Sequence, residues 1–199
     1  IKSSFIQRGD NYMLSPQAVG ATHNPDGEVC DNGKDDRDND GLIDCADDEC
    51  AGKIICREEI TQKLDLFVMS QCPFGTKAEG AMKEVLANFG DDIDFDIHYI
   101  ANDNGDGTFT SLHGQPEVDG NIIQLCVADH YPSKLMDFIW CQNEDFSQVT
   151  TNWESCADNL GINKEVLKQC FEGDEGAGLL RENIKMTNDL AIGASPTWL

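Results

Sequence analysis

Hydrophobic positions divide the 199-residue chain into an unpatterned leader, a polar cysteine-bearing stretch and a long patterned remainder. Within that remainder Leu64, Leu66, Phe67 and Val68 make a short apolar run. Ala78, Ala81, Met82, Val85, Leu86 and Phe89 then recur at helical spacing. Ile93, Phe95, Ile97 and Tyr99 alternate with Asp94, Asp96 and His98, which predicts a strand with one buried face. His98 falls on the opposite face and needs no catalytic role. Strand, helix and strand at this spacing predict a right-handed βαβ unit. Asn102–Phe109 is turn-rich and reads as a plain turn rather than a second cation loop, because His113 stands where a closing carboxylate belongs.

From Asn121 to Leu190 the period is helical. Successive faces are Ile122, Ile123, Leu125, Cys126 and Val127; Leu135, Phe138, Ile139 and Trp140; Val166, Leu167, Cys170 and Phe171; and Leu179, Leu180, Ile184 and Leu190. Asn163 reads as an N-cap, with Gly161 and Gly173 as punctuation. At the other end, residues 1–28 lack sustained periodicity and carry Gly9, Pro16, Gly20, Pro25 and Gly27. They read as an extended arm that orders only against something else.

Composition narrows the function classes. A net charge of −23 disfavours nucleic acid and anionic membrane surfaces, and favours divalent cations or basic partners. The longest apolar runs are too short to span a bilayer. The nine cysteines fall into an N-terminal four (Cys30, Cys45, Cys50, Cys56), a C-terminal four (Cys126, Cys141, Cys156, Cys170) and Cys72. Even sets imply disulfides and an oxidising, extracytoplasmic compartment, periplasmic or secreted; each four allows three pairings, and spacing does not choose among them. The chain begins at Ile1 without methionine, so the expectation is a mature form whose export signal was removed.

Cys72 follows the first strand and precedes the first helix, with Pro73 at the first helical turn, where a missing N–H costs nothing. Unpaired amides and the positive end of the helix dipole favour a thiolate there. A buried cysteine packed at a strand–helix junction explains the same position. The arrangement resembles the active-site entry of thioredoxin-fold proteins, whose signature is Cys-x-x-Cys. Gly75 stands at the fourth position, so the resemblance implies a one-thiol site whose mixed disulfide needs an external thiol for resolution.

The polar stretch carries a second motif. With Asp36 as position one of a calcium loop, Asp38 is third, Asp40 fifth, Gly41 sixth, the Leu42 carbonyl seventh, Asp44 ninth and Asp47 twelfth. Oxygen donors at alternate positions, with glycine at the sharp turn, are what a hard cation requires. A solvated acidic loop explains the charge but not the spacing. Zinc fits poorly, because the cysteines lack paired Cys-x2-Cys spacing and the carboxylates are hard ligands. Residues 30–56 resemble the cysteine-bounded repeats of thrombospondin type 3, in which structural calcium and disulfides together replace a hydrophobic core.

A third motif runs from His113 to Cys126. It resembles the Cys-Gln-His-Gly-x2-Glu-Cys-x2-Asn-x4-Cys signature of the gamma-interferon-inducible lysosomal thiol reductase family: His113, Gly114, Glu117, Asn121 and Cys126 match in register, while Ser111 and Val118 replace two family cysteines. One family disulfide is therefore expected to be missing. His113 and Glu117 read as loop and helix-start chemistry in preference to proton transfer. Helices inserted after the second strand resemble the DsbA-like arrangement, with the C-terminal cysteines stapling the insertion. Pro196 resembles the cis-proline that faces the active-site cysteine in thioredoxin folds, with Ser195 offering backbone atoms to a bound chain; an ordinary trans Ser-Pro turn is the alternative. The fold then calls for a further strand and a helix, which the expectation treats as cleaved or as replaced by a molecule covering that edge.

These readings give an α/β fold, thioredoxin-like of the DsbA type, with a disulfide-stapled helical insertion at about 118–190. The domains are an arm (1–28), a small loop-rich calcium module (29–57) and the thioredoxin-like domain (62–199). The resemblance implies an extracytoplasmic thiol–disulfide oxidoreductase using Cys72 with Pro196. The alternative is a non-catalytic, calcium-stabilised accessory subunit of a larger extracytoplasmic or membrane-associated assembly, whose protein partners contact the arm and the open sheet edge.

Overall fold

The computed structural model describes residues 30, 33, 43–46, 50, 56, 60–90 and 92–199, together with the backbone of 4–8 and 11–15. Those two backbone segments, β1 (Ser4–Arg8) and β2 (Asn11–Ser15), pair antiparallel, with Arg8 opposite Asn11. The sequence analysis treats this stretch as an extended arm. Gly9-Asp10 between two strand-forming runs is the two-residue hairpin signal that periodicity alone passes over.

In the module that follows, Cys30 bonds Cys50 and Cys45 bonds Cys56. Asp44–Ala46 form one 3-10 turn. Asp44 itself has φ 51°, a left-handed conformation that Asp tolerates better than most residues. Its two carboxylate oxygens accept the Gly33 N–H at 2.9 and 3.0 Å. The other expected calcium ligands, Asp36, Asp38, Asp40, Leu42 and Asp47, lie outside the described residues.

The larger unit comprises Gln62–Asn188 and Ile192–Trp198. Its sheet has the order β4-β3-β7: β3 (Lys63–Val68) runs parallel to β4 (Asp94–Tyr99) and antiparallel to β7 (Thr197–Trp198), with Leu66 opposite both Ile97 and Trp198. A parallel pair needs a crossover, and α1 (Pro73–Phe89) supplies it. The last four residues of β3 are buried: Leu66–Val68 form the continuous apolar run of a strand covered on both faces, and the buried Asp65 carboxylate lies 3.2 Å from His98 Nε2 and 3.6 Å from Lys63 Nζ. After β4, β5 (Asn102–Asp103) and β6 (Phe109–Thr110) close a small hairpin where the sequence reads as a turn.

Then come five helices: α2 (Gln115–His130), α3 (Leu135–Gln142), α4 (Val149–Leu160), α5 (Lys164–Glu172) and α6 (Asp174–Asp189). The Asn163 side chain caps α5 by accepting the Glu165 N–H at 3.0 Å. Helix α2 is central: Val118, Asn121, Ile122, Ile123, Gln124, Leu125, Cys126 and Val127 are all buried, so it is covered on every side. Cys126–Cys170 ties it to α5, and Cys141–Cys156 ties α3 to α4. Among the described residues no helix is long and apolar enough to cross a membrane.

Asp65, Glu79 and Glu117 are buried carboxyl groups, and among the described residues Glu79 is the one left with an oxygen that has no hydrogen-bond partner. Glu79, on α1, is fully buried; Asn143 Nδ2 donates to its Oε2 at 2.5 Å, while its Oε1 has no hydrogen-bond partner. Burial pushes its carboxyl up to about 7, against an ordinary value of 4.5, and the Asn143 bond offsets only part of that. Burial and the Glu79 charge also push up the phenol of Tyr99, whose buried hydroxyl likewise lacks a partner. A raised carboxyl pKa means that the folded chain holds the proton more tightly than the unfolded one. The contribution of Glu79 to stability is therefore fully present on the acid side and is lost as pH rises from about 4.5 to about 7, by about 3 kcal/mol at 1.36 kcal/mol per unit. Denaturant titrations across this range should show a decline in the native chain that is about 3 kcal/mol steeper than in Glu79→Gln.

Candidate active site

The sheet places the end of β3 beside the start of α1, and the turn between them holds Met69, Ser70, Gln71 and Cys72. Met69, Ser70 and Cys72 are buried and Gln71 is half-buried, so the backbone amides of the turn need acceptors within the protein. The Cys72 N–H donates to the Met69 carbonyl at 2.9 Å, closing the turn. The Gln71 N–H donates to Glu117 Oε1 at 3.2 Å, the Ser70 N–H to Asn121 Oδ1 at 2.9 Å and the Met69 N–H to Ser195 Oγ at 3.1 Å. Side chains far away in sequence therefore fix the approach to Cys72.

Glu117 and Asn121 are four residues apart on α2 and share a face. Fully buried Glu117 also accepts the Ser111 hydroxyl at 2.6 Å and the His113 N–H at 3.0 Å on Oε2, and its Oε1 lies 2.6 Å from His113 Nδ1. Its own carbonyl accepts the Ser70 hydroxyl at 3.0 Å. Asn121 Nδ2 reaches the Ile100 carbonyl at 3.4 Å. Gly114 opens α2 with φ 89°, a conformation in which a side chain is strained. Gly120 lets α2 close on the turn: a Cβ there would lie 2.6 Å from Ser70 Oγ and from Val149 Cγ2. The His113 motif is thus a clamp on the cysteine-bearing turn, and Ser111, at a position where the family pattern has cysteine, is part of it.

Cys72 is the free cysteine of the chain. It caps α1 without a side-chain capping bond, Pro73 occupies the first turn, and the Thr76 N–H donates to the Cys72 carbonyl at 2.9 Å. The Ser195–Pro196 peptide is cis, and the Cys72 thiol donates to the Ser195 carbonyl at 3.5 Å. A reactive thiol at this junction implies an exposed sulfur and the packing alternative a buried one; Cys72 is only 5% exposed. The same turn bonds that orient it also draw it under the Ser195 backbone. Phe74, two residues beyond Cys72, is 67% exposed, and Leu112, between Ser111 and His113, is 76% exposed.

Residues 63–160 match the family model for gamma interferon inducible lysosomal thiol reductase (GILT). A gamma-interferon-inducible lysosomal thiol reductase of Carassius auratus is 31% identical over 93 residues, covering 44% of this chain. The chain spans 36% of the length of that curated relative. Among solved structures, oxidised BdbD from Bacillus subtilis superposes with a TM-score of 0.56 at 16% identity, covering 71% of this chain and 77% of that one. MdbA, a thiol-disulfide oxidoreductase from Actinomyces oris, gives 0.54 at 16% identity, covering 69% and 68%. The thiol-disulfide exchange protein alpha-DsbA2 from Wolbachia pipientis gives 0.54 at 15%, covering 72% of each. The fold is therefore thioredoxin-like, of the DsbA type, and the GILT-like segment runs from β3 to the end of α4.

The structure brings Cys72, the Ser195–Pro196 peptide and the His113 motif together, and adds Ser70, Gln71, Ser111 and the Ser195 hydroxyl as partners that the sequence pattern does not reveal. The available signal is the four-residue spacing of Glu117 and Asn121, which puts two polar side chains on one face of an otherwise apolar helix. Asn121→Ala should leave the Ser70 amide unpaired and destabilise the chain by about 2–3 kcal/mol, measured by denaturant unfolding.

Proposed function

We propose that the chain is a thiol–disulfide oxidoreductase working with one thiol. The observation that carries this reading is the free Cys72 at the start of α1, its thiol directed at the Ser195 carbonyl next to cis-Pro196. The Cys72 thiolate attacks one sulfur of a substrate disulfide, forming a mixed disulfide and releasing the other sulfur as a thiol. An external thiol then attacks the mixed disulfide and frees the second half of the substrate or Cys72, with a further external thiol completing the cycle. The external thiols are oxidised to a disulfide as the substrate is reduced. Gly75 brings no thiol to this exchange. The name of the GILT relative and four intramolecular disulfides support a reductive role in an extracytoplasmic compartment. Reduction of a disulfide-bonded protein by excess glutathione should be faster with the chain present, and Cys72→Ser should return it to the uncatalysed rate.

The burial of Cys72 favours a second reading, in which the chain is a non-catalytic accessory subunit of a larger assembly. Equal rates with the native chain and with Cys72→Ser decide for that reading.

Residues 36–47 are a structural calcium loop in this account. Asp36, Asp38, Asp40, the Leu42 carbonyl, Asp44 and Asp47 form an all-oxygen donor set that fits a hard cation, inside a segment closed by two disulfides. The ion would neutralise the carboxylates and hold the loop together. At about 100 times its dissociation constant, calcium should raise stability by about 2.7 kcal/mol over chelator-treated protein, and Asp38→Asn with Asp40→Asn should abolish the gain. Calorimetry checks this; unchanged stability contradicts it.

A further inference from the structure

The space beside Cys72 where a fourth-position side chain would begin is already taken. A Cβ built on buried Gly75 would lie 2.8 Å from Ser195 Oγ, 3.3 Å from the Met69 carbonyl oxygen and 3.4 Å from Cys72 Cβ. The first of these is closer than any ordinary contact, so either Gly75 stays bare or Ser195 moves. Ser195 is not idle there: its hydroxyl oxygen accepts the Met69 N–H at 3.1 Å, and Met69 is buried. Rotating the hydroxyl away makes room but leaves a buried amide without its acceptor, which is costly. The Ser195 carbonyl meanwhile faces the Cys72 thiol. One residue thus faces the working sulfur with its backbone and fills the neighbouring position with its side chain.

We propose that Ser195 is the positioning residue that commits this centre to one-thiol chemistry: its hydroxyl holds the Met69 amide and occupies the room of a resolving side chain at position 75. Glycine at position 75 and serine at 195 are then a matched pair, and restoring a thiol at 75 alone does not restore a dithiol site. The consequence for catalysis rests on Cys72 being the working thiol; the packing relation does not. With no internal thiol able to close on it, a mixed disulfide at Cys72 persists until an external thiol arrives.

Two measurements on the full chain test this separately. Thermal unfolding is compared for Gly75→Ala in the native background and in Ser195→Ala. The added methyl should lower Tm by several degrees in the native background. In Ser195→Ala, where the clash is gone and alanine is the better helix former, it should be neutral or stabilising. An equal loss in both backgrounds overturns the packing relation.

The second measurement uses dithiodipyridine. The Cys72 thiolate takes one half of the reagent, releasing one thiopyridone. In Gly75→Cys variants the introduced thiol then attacks the Cys72 sulfur, closing an internal disulfide and releasing a second thiopyridone; two thiols are oxidised as one reagent disulfide is reduced. The second release should be at least about tenfold faster in Gly75→Cys/Ser195→Ala than in Gly75→Cys alone, which corresponds to about 1.4 kcal/mol of barrier. Equal rates overturn the proposal. No release from any variant overturns the one-thiol function and the redox half of this proposal with it, while the Tm comparison still decides whether Ser195 and Gly75 are a matched pair.

Discussion

A buried backbone amide must find an acceptor, and the turn at 69–72 sets four amides in succession at buried or half-buried positions. Only the Cys72 N–H is satisfied within the turn itself. Those of Met69, Ser70 and Gln71 depend on Ser195, Asn121 and Glu117, which belong to the segment before β7 and to α2. In a low-dielectric interior each such bond is strong and each omission expensive. The conformation of the cysteine-bearing turn is therefore decided by how α2 and the Ser195–Pro196 peptide are seated against the sheet, and the rest of the domain can be understood as what seats them.

Helix α2 is seated from all sides. Its apolar positions pack into the core, Cys126 is bonded to α5, and Gly120 allows it to approach Ser70. Gly176 does the same for α6, where a Cβ would fall 2.5 Å from Ile122 Cγ2. The disulfide from α3 to α4 stiffens the layer that carries Gln142 and Asn152, whose side chains bond across it. Trp140, also on α3, donates to the Glu79 carbonyl of α1 at 2.8 Å, so the stapled helices grip the helix that Cys72 begins. Strand β7, bonded to β3 through Leu66 and Phe67, brings Ser195 to the other side of the same sulfur.

Much of this was legible in the sequence. Periodicity located β4 because its buried and exposed positions alternate, α1 because it has a single apolar face, and β3 because its buried end is a short apolar run. Asn163 announced α5 through its capping chemistry, and the position of Cys72 before Pro73 announced the strand–helix junction. The disulfide pairs were not legible, since they depend on which inserted helices become neighbours. The roles of Glu117 and Asn121 were hidden for the same reason: their partners, the backbone of Ser70 and Gln71, become neighbours only when the sheet and α2 pack. Spacing showed that Gly75 lacks a thiol but not that Ser195 takes its room. The burial of Cys72 was left open, because the helix-start argument says what a sulfur there prefers electrically and nothing about what folds over it.

The central claim is that this turn presents a working thiol in the folded chain rather than a packed one. The direct measurement is the rate at which a small neutral disulfide labels Cys72 in native protein, set beside the rate of global unfolding under the same conditions. The account predicts native-state labelling well ahead of unfolding, confined to Cys72 while the other cysteines remain paired. Labelling that appears only as the chain unfolds would contradict it and leave the thiol as part of the core.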